Sequence, residues 1–330
     1  MIKRLALLSL ILAFVVVVFG SFVRLSDAGL GCPDWPGCYG HLVVPQTEEA
    51  QLKALQKFPL MEVDITKAWI EMGHRYLAGI LGLLILAITF ISWRNKTASK
   101  TLPTILLGVV MFQALLGMWT VTMLLKPAIV TLHLIGGMTT LSLLLWLALR
   151  QSPLGLLKVE RSGGGNYQGW GVLGLILLGI QISLGGWVST NYAALACTDF
   201  PLCQSQWLPP VDFHHAFQIV RDLGMTAAGE SLSNEALTAI HWSHRVGALI
   251  TFTYLLGFGA FLLRLAELKL YAKLMLVLLF TQVGLGIANV ILSLPLALAV
   301  AHNATAALLL GSVVIINFIL SRSHSNAIPS

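Results

Sequence analysis

Apolar positions run through this chain in long blocks, and polar residues gather in the intervals between them. Predominantly apolar runs occupy residues 5–23, 65–92, 102–125, 127–149, 169–189, 235–262, 272–294 and 297–320. Each is in or near the range of roughly 20 residues that a helix needs to cross a bilayer. The pattern predicts an all-α polytopic membrane protein with eight transmembrane helices.

Charge gives the spans an orientation. The intervals after the second, fourth and sixth spans are short and basic: Arg94, Lys96 and Lys100; Arg150, Lys158 and Arg161; Arg264, Lys269 and Lys273. With Lys3, Arg4 and Arg322, they place most of the 20 Lys and Arg residues on one side. The two long intervals, 24–64 and 190–234, carry only Arg24, Lys53, Lys57 and Arg221, while Lys67 and Lys126 sit at helix mouths on that same side. The positive-inside rule then expects both termini in the cytoplasm and both long loops outside. Lys3-Arg4 ahead of an apolar run also describes a secretory signal peptide. That run is longer than a usual signal core and has a counterpart deep in the chain, so it is expected to persist as the first span. Composition agrees with the class: 57% of residues are hydrophobic and 10% charged, against about 25% charged in soluble domains. The net charge of +6 comes from residues at helix ends, which suit anionic lipid rather than nucleic acid.

A repeat organises the chain. Val23–Cys38 reads V-R-L-S-D-A-G-L-G-C-P-D-W-P-G-C, and Val188–Cys203, 165 positions later, reads V-S-T-N-Y-A-A-L-A-C-T-D-F-P-L-C. Both cysteines, Asp34 and Asp199, Trp35 and Phe200, and Pro36 and Pro201 coincide. At an offset of 170, His74-Arg75 matches His244-Arg245 and Asp64 matches Asn234, both expected as helix N-caps. At 169, Gln113, Gly117 and His133 match Gln282, Gly286 and His302. Four spans per repeat is an even number, so the halves should share one orientation about an axis along the membrane normal. The expected units are two parallel four-helix-bundle repeats, 1–150 with outer loop 24–64 and 151–330 with outer loop 190–234.

Five of the nine histidines lie inside the spans, and four of them pair across the repeat: His74 with His244, His133 with His302. A lone buried histidine can be an ordinary hydrogen-bonded core residue, but ionisable groups within spans are costly and point to function. Each half offers two imidazoles at similar depth on two helices, the arrangement that bis-histidine haem ligation needs. Zinc would want a third ligand, with only His241 and Glu71 nearby. Arg75 and Arg245 are open to two readings, haem propionates or lipid headgroups. Glu71 stands three residues before His74, one turn nearer the outside, and its counterpart is His241. That difference suggests chemistry in one half and a permanent cofactor in the other; a helix-mouth glutamate is the alternative.

All four cysteines fall in the long loops with the same spacing, Cys32 with Cys38 and Cys197 with Cys203. On an oxidising side two short disulfides are expected, as structural staples or, in the first loop, with a thiol-exchange role. Amphipathic interfacial helices are expected near 47–58 and 212–225, with His214-His215 as solvated surface. Taken alone, the residues fit a quinol-linked di-haem b-type electron-transfer cytochrome, a haem carrier or assembly protein, or an oxidoreductase acting on a haem.

The V-R-L-S-D-A-G-L-G-C-P-D-W-P-G-C segment, the E-x-x-H-R ending at Arg75, His133, the H-R at His244 and His302 together resemble the haem A synthase family over nearly the whole chain. The resemblance implies an oxidoreductase that converts a ring methyl of haem O to a formyl group for terminal oxidase biogenesis. It implies that His74 and His133 hold the substrate haem O in 1–150. His244 and His302 would hold a haem B cofactor in 151–330, with Glu71 as the essential glutamate. It further implies a bacterial inner-membrane protein that works with haem O synthase and an electron donor. A homo-oligomer is compatible with it.

Overall fold

The computed structural model describes residues 1–59, 61–96, 99–156 and 167–325, so Lys158 and Arg161 of the second basic interval lie outside the described residues. Among the described residues, eight helices are long and apolar enough to cross a membrane. They are α1 (Ile2–Leu25), α3 (Ile65–Arg94), α4 (Thr101–Thr122), α5 (Pro127–Leu149), α6 (Tyr167–Thr190), α8 (Asn234–Leu262), α9 (Lys269–Ile291) and α10 (Leu296–Ser325). Two shorter helices, α2 (Glu48–Lys57) and α7 (Phe213–Ala216), lie in the long loops. Among the described residues there is no sheet, only isolated bridges such as Cys38 with His41 and Cys203 with Gln206.

The helices pack in a pattern that recurs in both halves. In the first, α3 and α5 each lie against both α1 and α4; in the second, α8 and α10 each lie against both α6 and α9. The ring order therefore sets α3 diagonally opposite α5, and α8 diagonally opposite α10. Between the halves, α1 meets α10, α5 meets α6, and α5 meets α10. Exchanging each helix for its repeat counterpart leaves that set of contacts unchanged, as a two-fold relation requires. Near this junction Arg24 donates to the Ser189 carbonyl at 2.7 Å, and the Tyr192 hydroxyl donates to Asp27 at 2.9 Å. Each of those pairs joins counterparts 165 positions apart, which also puts the two long loops at one end of the molecule.

Burial is greatest in α10, where 67% of the apolar window lies inside the protein against 33% or less in the other spans. It is the central helix, and Asn317 ties it to α6 by donating to the Gly171 carbonyl at 2.9 Å. Leu144, Leu255, Leu262, Val313 and Ile316 fill the apolar core around it.

Helix starts follow ordinary capping chemistry, with one adjustment. Asp64 accepts from Lys67 N at 2.9 Å and caps α3 as expected. The cap of α8 is Ser233, which accepts from Ala236 N at 3.2 Å, so the expected Asn234 is instead the first helical residue. The expected helix over 47–58 is α2, capped by Thr47. The one over 212–225 shrinks to a single turn, α7. Beyond it the buried Arg221 draws in the carbonyls of Gln218 and Met225 and the side chain of Asn191, which bends the chain out of helical register.

Candidate functional site

His74 sits on α3 and His133 on α5; His244 sits on α8 and His302 on α10. Each pair thus occupies diagonal helices of its own bundle. The members lie within electrostatic reach of each other, His74 with His133 and His244 with His302. Every ring also rests against a glycine of an adjacent helix. A Cβ placed on Gly20 of α1 would come within 2.9 Å of the His74 Cε1, and one on Gly185 of α6 within 3.0 Å of the His244 Cε1. Gly117 of α4 and Gly286 of α9 stand in the same relation to His133 and His302, at 3.3 and 3.1 Å. The missing side chains leave the space that the rings fill. Gly20 and Gly185 are not singled out by the sequence reading, although they extend the repeat three residues backward at the same offset.

The residues fit haem. The Nδ1 atoms of His74, His133 and His302 are buried without any hydrogen-bond partner in the protein. A buried polar group left unpaired costs about 1–3 kcal/mol, so these rings are incomplete until something binds. Paired imidazoles are the donors an iron porphyrin takes on its two faces. Among the described residues no group of three or more His, Cys, Asp or Glu could hold a bare metal ion. The third ligand that zinc requires is therefore not assembled.

Glu71 and His241, the two candidates for such a ligand, are committed elsewhere. Glu71 is 4% exposed, accepts from the Cys32 N–H at 2.9 Å and forms an ion pair with Arg75. His241, also 4% exposed, has its Nδ1 3.3 Å from Cys197 N and its Nε2 3.3 Å from Arg245 Nε, and a neutral imidazole accepts at one of the two. The arginines complete the arrangement. Arg75 donates to the carbonyls of Asp34 and Gly37 at 2.9 and 2.6 Å; Arg245 donates to those of Asp199 and Leu202 at 2.9 and 2.7 Å. Both guanidinium groups donate to loop carbonyls, a use that the sequence reading of Arg75 and Arg245 did not include.

What they hold is a disulfide hairpin. Cys32 is bonded to Cys38 and Cys197 to Cys203, the two predicted pairings. Inside the hairpins, Asp34 accepts from Gly40 N, and Asp199 accepts from both Gln204 N and Ser205 N, at 2.8 Å each. Donation from Ser205 and then Gln204 holds the Asp199 carboxyl below the usual carboxylate range. His214 is exposed, as expected of solvated surface, and His215 pairs with Asp212 at 2.5 Å.

One feature separates the halves. Gln181 of α6 donates to the His244 carbonyl and lies 3.0 Å from its Nδ1. The matching position in α1 is Val16, and His74 has no such partner. Gln113 and Gln282 keep a symmetric place beside the other two histidines, Gln113 donating to the His133 carbonyl and Gln282 meeting the His302 Nε2.

Residues 3–314 match the cytochrome oxidase assembly protein family, COX15-CtaA. The chain belongs to this family. Among its relatives, a heme A synthase of Shewanella oneidensis is 43% identical over 319 residues, covering 97% of this chain and 96% of that one. A heme A synthase of a Caulobacter species is 28% identical across 92% of this chain and 91% of its own. One from Shouchella clausii is 30% identical over 63% of this chain and 66% of its own. The family match spans both histidine pairs and both hairpins, so the duplicated site lies wholly within the matched region.

Proposed function

We propose that this protein is a haem A synthase, an oxidoreductase that converts a ring methyl of haem O to a formyl group for cytochrome oxidase assembly. The observation that carries the proposal is the duplicated pair of imidazoles on diagonal helices, three of whose ring nitrogens no protein group satisfies. Haem O is the substrate of the 1–150 half, at His74 and His133. Haem B is the cofactor of the 151–330 half, at His244 and His302.

The uneven treatment of the rings supports this assignment. A metal-bound imidazole ordinarily gives its second nitrogen to a partner that fixes the ring's orientation. The Gln181 amide lies 3.0 Å from the His244 Nδ1 and also donates to the His244 carbonyl, which holds that ring in place and suits a cofactor that stays. His74 has no such neighbour, the matching position being Val16. Haem B, when bound, supplies one-electron chemistry to the second half. Glu71 takes the acid/base role beside the first pair: its Oε2 can hold or release a proton, while Arg75 and the Cys32 N–H keep the carboxylate in place. The disulfides keep the two hairpins closed over these groups.

The protein is read as sitting in a bacterial inner membrane with both termini cytoplasmic and the hairpins outside, an orientation that the basic intervals support. Haem O synthase, which supplies the substrate, and an electron donor are the implied partners. Extraction of haem from the purified protein tests the reading. Haem B together with haem O, its oxidised derivatives or haem A is expected. Haem B alone would identify a di-haem electron-transfer cytochrome instead.

A further inference from the structure

Just past each hairpin, the chain turns two large apolar side chains outward. Leu42 and Val43 are 81% and 49% exposed, and their counterparts 165 positions later, Trp207 and Leu208, are 72% and 76% exposed. At the hairpin tips the counterparts Trp35 and Phe200 are exposed as well. A soluble surface would not keep such groups at the same three positions in both copies of a diverged repeat without a use for them.

Their depth suggests the use. The Leu42 carbonyl accepts from the Tyr76 hydroxyl at 3.2 Å, and the Trp207 carbonyl accepts from the Trp242 indole N–H at 3.1 Å. These aromatics stand well down α3 and α8, not at the helix mouths. Arg94 and Arg264 mark the basic end of the same two helices. From Arg94 to Tyr76 is a climb of about 27 Å, and from the end of α8 at Leu262, just before Arg264, to Trp242 about 30 Å, at 1.5 Å per residue. A hydrocarbon core is about 30 Å thick. Both aromatics therefore fall at the far boundary of the hydrocarbon, the level at which Tyr and Trp collect in membrane proteins. The apolar residues they hold lie at that level too. Arg75 and Arg245 pin the hairpin backbones at the same depth, so the loops are drawn down along α3 and α8 rather than standing off in water.

We propose that each hairpin is a lipid-contacting element: Trp35, Leu42 and Val43 in the first loop, and Phe200, Trp207 and Leu208 in the second, rest in the headgroup–acyl boundary at the loop end. The occupant of this surface is lipid. Trp and Leu are the side chains that partition best into that boundary, and the polar anchors on α3 and α8 leave them no other depth. The inference concerns depth alone and stands whether or not the proposed reaction is correct.

Spin labels on cysteines read depth directly, because the four native cysteines are paired in disulfides and do not compete for label. The full chain in nanodiscs would carry the label at Leu42→Cys or Leu208→Cys. Leu83→Cys, mid-span on α3, is the lipid reference and Lys53→Cys, on α2, the water reference. Collision with oxygen relative to a water-soluble nickel chelate should be several-fold higher at 42 and 208 than at 53, approaching the value at 83. A ratio equal to that at 53 would overturn the proposal, because the dyads would stand in water. Low collision with both reagents would also overturn it, by showing a protein occupant. If either cysteine prevents its hairpin from closing, the label moves to Val43→Cys or Trp207→Cys, with the same outcomes.

Discussion

Replacing Glu71 with glutamine should lower haem A formation by roughly 10²–10⁴-fold, the range for losing a positioned acid/base group, while the protein still folds and keeps haem B. Glutamine preserves the shape and can still accept from the Cys32 N–H, so this tie of the hairpin to α3 survives beside the Arg75 bonds to Asp34 and Gly37. What disappears is the carboxylate and its ion pair with Arg75. Losing a charged hydrogen bond of this kind costs about 1.5–3 kcal/mol, which lowers stability without unfolding a protein of eight packed spans. The second half shows that anchoring alone does not demand an acid, since the His241 Nδ1 lies 3.3 Å from Cys197 N in the matching place. Activity and anchoring thus separate in one variant. Haem O or a partly oxidised derivative should accumulate where haem A is lost, read by chromatography of extracted haem. Normal haem A with a weakened hairpin would reduce Glu71 to a loop anchor.

Alanine at His244 or His302 should strip haem B from the purified protein several-fold, because each removes one of the two side chains proposed to hold it. Alanine at His74 or His133 should leave haem B in place and abolish haem A. The two histidine pairs sit in separate bundles that meet chiefly through the α1–α10, α5–α6 and α5–α10 contacts, so damage to one should not empty the other. Gln181→Leu, which keeps the bulk beside His244 and removes its polar partner, should weaken haem B retention by less than either alanine. Optical spectra and haem-to-protein ratios check all five variants. Equal loss of haem B from both pairs of variants would show that the halves do not bind independently.

The spans were legible because a bilayer imposes one simple demand, about 20 apolar residues per crossing, and all eight predicted runs coincide with helices. The four histidines and both cysteine pairs were legible because the repeat writes each of them twice. The roles of Arg75 and Arg245 were not. Their partners are loop carbonyls some forty positions away, and a backbone carbonyl leaves no mark in the sequence. Gln181 was hidden for the opposite reason: it has no counterpart, so a search for repetition passes over it. The shortened α7 and the shifted cap at Ser233 depend on local competition, a buried arginine in one case and a neighbouring hydroxyl in the other, that hydrophobic patterning does not register.

The most direct measurement is conversion in a host that makes no haem A of its own. Expressed there together with a haem O synthase, this chain should make haem A appear in the membrane, and the His74→Ala chain should not. Haem O persisting unchanged beside a folded, haem B-loaded protein would contradict the account.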